Sequence, residues 1–165
     1  MKNRILITYA TRTGTTIVVA AVIGEILRSR GFSIDLKAVK KRPLVEGYDA
    51  VIIGSAIHRG NWLPEAVEFV KNNQAKLSQI PTAIFTVQMW HRGDREARRQ
   101  ARAAYTASVW RMLTPVEEVS FKGNMNFSKL TFFDPVMVKT MEGQTKEGDF
   151  RDWNKIRRWA QIIFA

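Results

Sequence analysis

The chain has 165 residues, of which 45% are hydrophobic and 25% charged, and its 26 Lys and Arg outweigh 15 Asp and Glu to give a net charge of +11. That length and mixture suit a single domain over residues 1–165 with a sizeable core, and they argue against wholesale disorder. No window approaches the roughly eighteen apolar residues of a membrane span, and the absence of cysteine excludes disulfides, iron–sulfur clusters, thiol chemistry and cysteine-ligated zinc.

In chain order, RILITY at 4–9 reads as a strand, and its basic start lacks the apolar core of a secretory leader. The cytoplasm is therefore the expected compartment. A turn rich in hydroxyls, Thr11–Thr16, leads into TIVVAAVIGEILRSR at 16–30, whose Val18, Val22, Ile26 and Leu27 fall at helical spacing before Gly31 stops it. FSIDLKAV at 32–39 is the second strand and DAVIIGSAI at 49–57 the third, a near-continuous apolar run of the kind buried on both faces of a parallel sheet. Pro64 opens a helix over 64–77. TAIFTVQ at 82–88 is the fourth strand, Asp94 caps a helix over 95–113, VEEVSFKG at 116–123 is the fifth strand, and a last helix starts near Asp152. An irregular apolar insertion occupies the region around 124–149.

Strands alternating with helices at this spacing predict an α/β three-layer sandwich with a five-stranded parallel sheet in the order 2-1-3-4-5. Such sheets bind ligands beyond the carboxyl ends of strands 1, 3 and 4. Three loops stand there, over 10–16, 54–62 and 88–95.

The first loop, Thr11, Arg12, Thr13, Gly14, Thr15 and Thr16, joins a strand end to a helix start, where unpaired amides and the helix dipole favour an anion. Gly14 allows the backbone to curl closely around it. The loop lacks the Gly-Lys-Thr of a nucleotide P-loop and the spaced glycines of a dinucleotide fingerprint. A lone phosphomonoester held by neutral donors fits better; the plain alternative is a capping turn. A phospho-acceptor receiver domain would need acidic residues after strand 1 and an Asp after strand 3, where this chain has Tyr9, Ala10, Thr11 and Ser55.

The spacing Thr/Ser-x-Thr-Gly-x-Thr after the first strand resembles the phosphate motif of flavodoxins, and Thr11–Thr16 match it completely. The resemblance implies FMN as cofactor, its ring sandwiched by the other two loops. These supply Ser55, Ala56, Ile57, His58, Arg59, Gly60, Asn61 and Trp62, then Gln88, Met89, Trp90, His91, Gly93 and Asp94. Their aromatic, apolar and amide content suits a planar ligand with polar edges. Trp62 and Trp90 serve either the ring or the core. His58 and His91 read as surface donors. No protein group is assigned an acid–base role, because flavin carries the chemistry itself, and no metal is expected.

Electron-carrying flavodoxins are typically acidic around the flavin, the reverse of this chain. SAIHRG at 55–60, EFVKNN at 68–73, PTAIFTV at 81–87, and FFDPVMVKTM with GQTKEGDFRDW before the last helix look more like the flavodoxin-type quinone-dependent protoporphyrinogen oxidases of haem biosynthesis. That resemblance covers nearly the whole chain. It implies an oxidoreductase that passes electrons from an anionic reduced substrate, protoporphyrinogen, through FMN to a quinone. The alternative is an electron-transfer protein that serves a redox partner without substrate turnover of its own.

Arg95, Arg98, Arg99 and Arg102 recur at i, i+3, i+4 and i+7 and, with Arg59 and Arg92, would form a basic rim for propionates or anionic lipid, or else a solvated helix face. The net charge of +11 favours an anionic partner generally. No nucleic-acid motif accompanies it. Peripheral contact with a membrane, through Leu130, Phe132, Phe133, Val136, Met137 and Val138, competes with those residues covering the sheet edge, and self-association is left open.

Overall fold

A computed structural model describes residues 3–12, 14–58, 60–88, 104–122 and 149–164. Within them the chain runs β1 (Arg4–Ala10), α1 (Thr15–Ser29), β2 (Ser33–Ala38), a 3-10 turn (Val39–Lys41), β3 (Ala50–His58), β4 (Asn61–Trp62), α2 (Pro64–Asn72), α3 (Gln74–Leu77), β5 (Thr82–Gln88), α4 (Ala107–Trp110), β6 (Glu117–Lys122) and α5 (Asp149–Ile162). The principal strands pair in parallel in the order β2-β1-β3-β5-β6, which is the flavodoxin-like order expected from sequence. A sixth, two-residue strand is added to the expected five: β4 folds back antiparallel on β3, pairing Ile57 with Trp62 and His58 with Asn61.

Alternation along the strands builds two cores. Ile5, Ile7, Ile52 and Phe85 pack on one face against Val19, Ile23 and Leu27 of α1 and Ile156 and Ala160 of α5. Leu6, Val51, Ile53 and Ile84 pack on the other against Ala66, Phe69 and Val70 of α2 and Val109 of α4. Burial of both faces explains why β3 reads as an unbroken apolar run. At its middle, Gly54 meets the Phe85 ring so closely that an added Cβ would lie 1.9 Å from Phe85 Cζ. Phe121 in turn contacts Phe85 and Trp159, with ring centroids 6.2 and 6.1 Å away.

Three helices differ from expectation, and in the described part of the one expected over 95–113 a turn falls at Thr106 and the helix ends at Trp110, short of Leu113. The helix expected over 64–77 breaks at Asn73, whose side-chain amide donates to the Phe69 carbonyl at 2.8 Å and competes with continued helical pairing. The last helix begins at Asp149, ahead of the expected Asp152. Its far end is clamped by Arg30, which donates to the carbonyls of Ala160 and Ile163, both at 2.7 Å, carbonyls that a helix end leaves without internal partners. The insertion expected around 124–149 lies, but for Asp149, outside the described residues, as do positions 95–103 of the third expected helix. No helix among the described residues is long and apolar enough to cross a membrane.

Gly54→Ala is expected to cost about 1–3 kcal/mol through overpacking against Phe85, read as a lowered urea midpoint. Adding Phe85→Leu should restore part of the loss; an unchanged midpoint in Gly54→Ala would contradict this packing.

Candidate functional site

Parallel register brings the three loops to one edge. Ala10 lies beside Ser55, and Ser55 beside Thr86. The carboxyl ends of β1, β3 and β5, from which the three loops follow in sequence, therefore stand side by side, spaced by about 4.8 Å.

The first loop ends at Gly14, in the left-handed region with φ 89°, a conformation that costs glycine little. Its backbone N–H donates to Thr11 Oγ1 at 3.0 Å, closing the loop. The helix that follows has no side-chain cap and no acidic residue in its first turn, so its positive end is not neutralised locally. Thr16 is fully buried there, and its hydroxyl oxygen has no hydrogen-bond partner among the described residues. An orphaned buried hydroxyl costs about 1–3 kcal/mol, and an anion seated on the helix end would relieve that cost. The residues present thus fit a single phosphate group. Thr13 lies outside the described residues.

Arg12 turns away from this seat. Its guanidinium forms a fork with Glu65 in the first turn of α2, the second arm at 3.2 Å. Burial pushes the Glu65 carboxyl up, but Arg12, its own backbone N–H and Lys40 together hold it below its ordinary value of 4.5. The pair ties the loop to α2.

In the second loop, the β3–β4 hairpin turns through Gly60 with φ 77°. Ser55 is fully buried and accepts from the Leu63 N–H at 3.0 Å while donating to the Ala56 carbonyl at 2.7 Å, so its hydroxyl braces the hairpin. Trp62 is 2% exposed, and its indole Nε1 donates to Thr86 Oγ1 at 2.9 Å. Of the two roles left open for Trp62, its side chain fills the core. Ala56 and Ile57 pack partly against that core, leaving His58, Gly60 and Asn61 exposed at the tip. At the end of β5, the buried Oε1 of Gln88 has no partner among the described residues. Arg59, Met89, Trp90, His91, Gly93 and Asp94, and with them Arg92, lie outside the described residues.

The structure therefore brings Thr11, Gly14, Thr15, Thr16, the hairpin tip and Gln88 to one edge, while Ser55 and Trp62 support it from beneath. Sequence reasoning missed Glu65, Thr86 and β4. Only β4 left a signal, a short glycine-containing turn between Ile57 and Trp62.

Thr16→Val is expected to stabilise the ligand-free protein by about 1 kcal/mol, since it removes a hydroxyl with nothing to bond; a lower urea midpoint would show that the hydroxyl is already satisfied. Arg12→Gln is expected to raise the Glu65 pKa. A carboxyl depressed by folding contributes stability above its unfolded value near 4.5 and loses it as pH falls through the folded value. The variant should flatten that acid limb by at most about 1 kcal/mol, as the pair is partly solvent-screened, measured by denaturation at pH 7 and below pH 4.5.

Comparison with known proteins agrees with this geometry. Over 171 residues the chain is 28% identical to a protoporphyrinogen IX dehydrogenase [quinone] of Escherichia coli strain K12, covering 96% of this chain and 93% of that one. A protoporphyrinogen IX dehydrogenase [quinone] of Leishmania major is 26% identical, over 97% of this chain and 74% of the relative. Among solved structures, the two-electron reduced flavodoxin of Megasphaera elsdenii superposes with a TM-score of 0.59 at 15% identity, over 95% of this chain and 98% of that one, which supports the fold. The family model described as flavodoxin domain matches residues 6–152, so the chain belongs to the flavodoxin domain family, and that membership implies a flavin cofactor.

Proposed function

We propose that this chain, acting as one domain, is an FMN-dependent oxidoreductase that takes electrons from an anionic reduced tetrapyrrole and delivers them to a quinone. The observation that carries the cofactor is the buried, unpartnered Thr16 hydroxyl at an acid-free helix start whose cap is the left-handed Gly14. That seat is matched to one phosphate. A triphosphate would ask for a lysine and a magnesium-holding group in the loop, and residues 11–16 provide neither.

Each part of the site then has a task. Thr11, Thr13, Thr15, Thr16 and the first amides of α1 hold the phosphate, and Arg12 holds the loop against Glu65. The hairpin tip from Ala56 to Asn61 and the segment Gln88–Asp94 flank the ring, with Ser55 and Trp62 stiffening the hairpin below. When bound, FMN supplies hydride acceptance and onward electron transfer. The protein contributes position and exclusion of water, and no side chain needs to move a proton.

The substrate class rests on two supports. The names of the relatives specify protoporphyrinogen and a quinone. The net charge of +11 favours a substrate bearing carboxylates, with the arginines at 59, 92, 95, 98, 99 and 102 as their partners.

Anaerobic turnover tests the proposal. FMN-loaded protein should oxidise protoporphyrinogen with a menaquinone analogue as acceptor, and flavin-free protein should not. A loaded protein that exchanges electrons with a redox protein yet leaves protoporphyrinogen untouched would instead establish a carrier.

A further inference from the structure

A second basic feature lies on the β2 side of the sheet, away from the β1, β3 and β5 loops assigned to the flavin. After β2 the chain continues VKKRPLV, residues 39–45. Val39, Pro43 and Val45 are buried and pin this strap to the body, while Lys40, Lys41, Arg42 and Leu44 face outward. A 3-10 turn is closed by the Arg42 N–H donating to the Val39 carbonyl at 2.9 Å, and Arg42 itself adopts the left-handed region at φ 48°. A non-glycine residue held there is strained, so the surrounding burial fixes one shape. Leu44 is left 73% exposed.

Between the strap and the ends of β1 and β2 lies a cleft of about 600 Å³, a size typical of small-molecule sites. Leu36, Pro43 and Leu44 give it apolar walls, and Lys37, Lys41 and Arg42 give it cations, with no carboxylate in the lining. None of these cations forms a salt bridge among the described residues. Two nearby acids, Asp35 and Glu65, are engaged elsewhere. Asp35 acts on Lys37 across space but receives Arg4 at 3.3 Å and the Tyr48 hydroxyl at 2.7 Å. Glu65 and Glu68 line a neighbouring cleft that shares Arg42, Pro43 and Leu44 with this one, and Glu65 is paired with Arg12. Tyr9 completes the floor. Burial pushes its phenol up, so it remains a donor at neutral pH.

We infer that this cleft binds an amphiphilic organic anion, its apolar body against Leu36, Pro43 and Leu44 and its carboxylate or phosphate between Lys37, Lys41 and Arg42. Exposed cations alone hold a bare ion weakly in salt. The fixed apolar wall is what makes the site selective for an anion carrying a hydrophobic frame. The inference stands independently of the flavin, because Lys37, Lys41, Arg42 and Leu44 lie outside the loops assigned to it.

Titration of the full chain with 2-naphthoate, followed by amide proton–nitrogen shifts, tests it. Amides of Tyr9 and of residues 37–45 should shift saturably, with affinity falling at least about tenfold in Lys37→Gln/Lys41→Gln/Arg42→Gln and severalfold in Leu44→Ser; tenfold corresponds to about 1.4 kcal/mol. Acetate and 2-naphthalenemethanol, which each carry half of the chemistry, should bind far more weakly. Shifts confined to other amides, equal binding of acetate, or unchanged affinity in the variants would overturn the inference. So would strap-dependent sedimentation with phosphatidylglycerol vesicles in the absence of naphthoate binding, which would make the strap a lipid-facing surface. Should the triple variant fail to fold, Leu44→Ser and the salt dependence of the unmodified protein decide: affinity independent of salt contradicts the assignment.

Discussion

The backbone groups of β1, β3 and β5 pair with parallel neighbours on both sides, so each strand has to leave the sheet at its carboxyl end and return along a helix. Everything functional follows from that restriction. Three exits are forced onto one edge, one after another, and the polar chemistry of the chain collects there because the interior has no place for it. The Gly54–Phe85 contact shows how tightly the arrangement is drawn, for no larger residue than glycine fits beneath the ring.

Around that edge the structure divides labour between holding and bracing. The start of α1 offers uncapped amides and an unsatisfied hydroxyl, an arrangement that is costly when empty and relieved by an anion. Arg12, the most obvious cation in the loop, is occupied with Glu65. Positive charge is thus kept from the seat itself, which relies on neutral donors and the helix end. In the proposed function the excess of basic residues serves elsewhere, toward the substrate and in the strap after β2.

The elements with the longest periodic signal were legible in the sequence: α1 over 15–29, the apolar β3, and β5 over 82–88. So was the turn between β1 and α1, because a glycine and hydroxyls between a strand and a helix are a local signature. What escaped depends on particular side-chain contacts, most of them distant along the chain. Asn73 ends a helix by bonding four residues back, a choice that helical periodicity does not reveal. Trp62 reads equally well as a ring platform or a core residue until Thr86, 24 positions away, is seen to accept its indole N–H. Arg12 looks like a phosphate ligand until Glu65, 53 positions away, is seen to take it. Ser55 looks like a residue that holds ligand, yet its hydroxyl donates to the Ala56 carbonyl and accepts from the Leu63 N–H.

The central claim is that residues 11–16 recognise one phosphate monoester, and affinity for FMN compared with riboflavin tests it most directly. Quenching of flavin fluorescence should give saturable 1:1 binding of FMN, with riboflavin weaker by at least about a hundredfold, or about 2.7 kcal/mol. Equal affinities, or no saturable binding of FMN, would contradict the account.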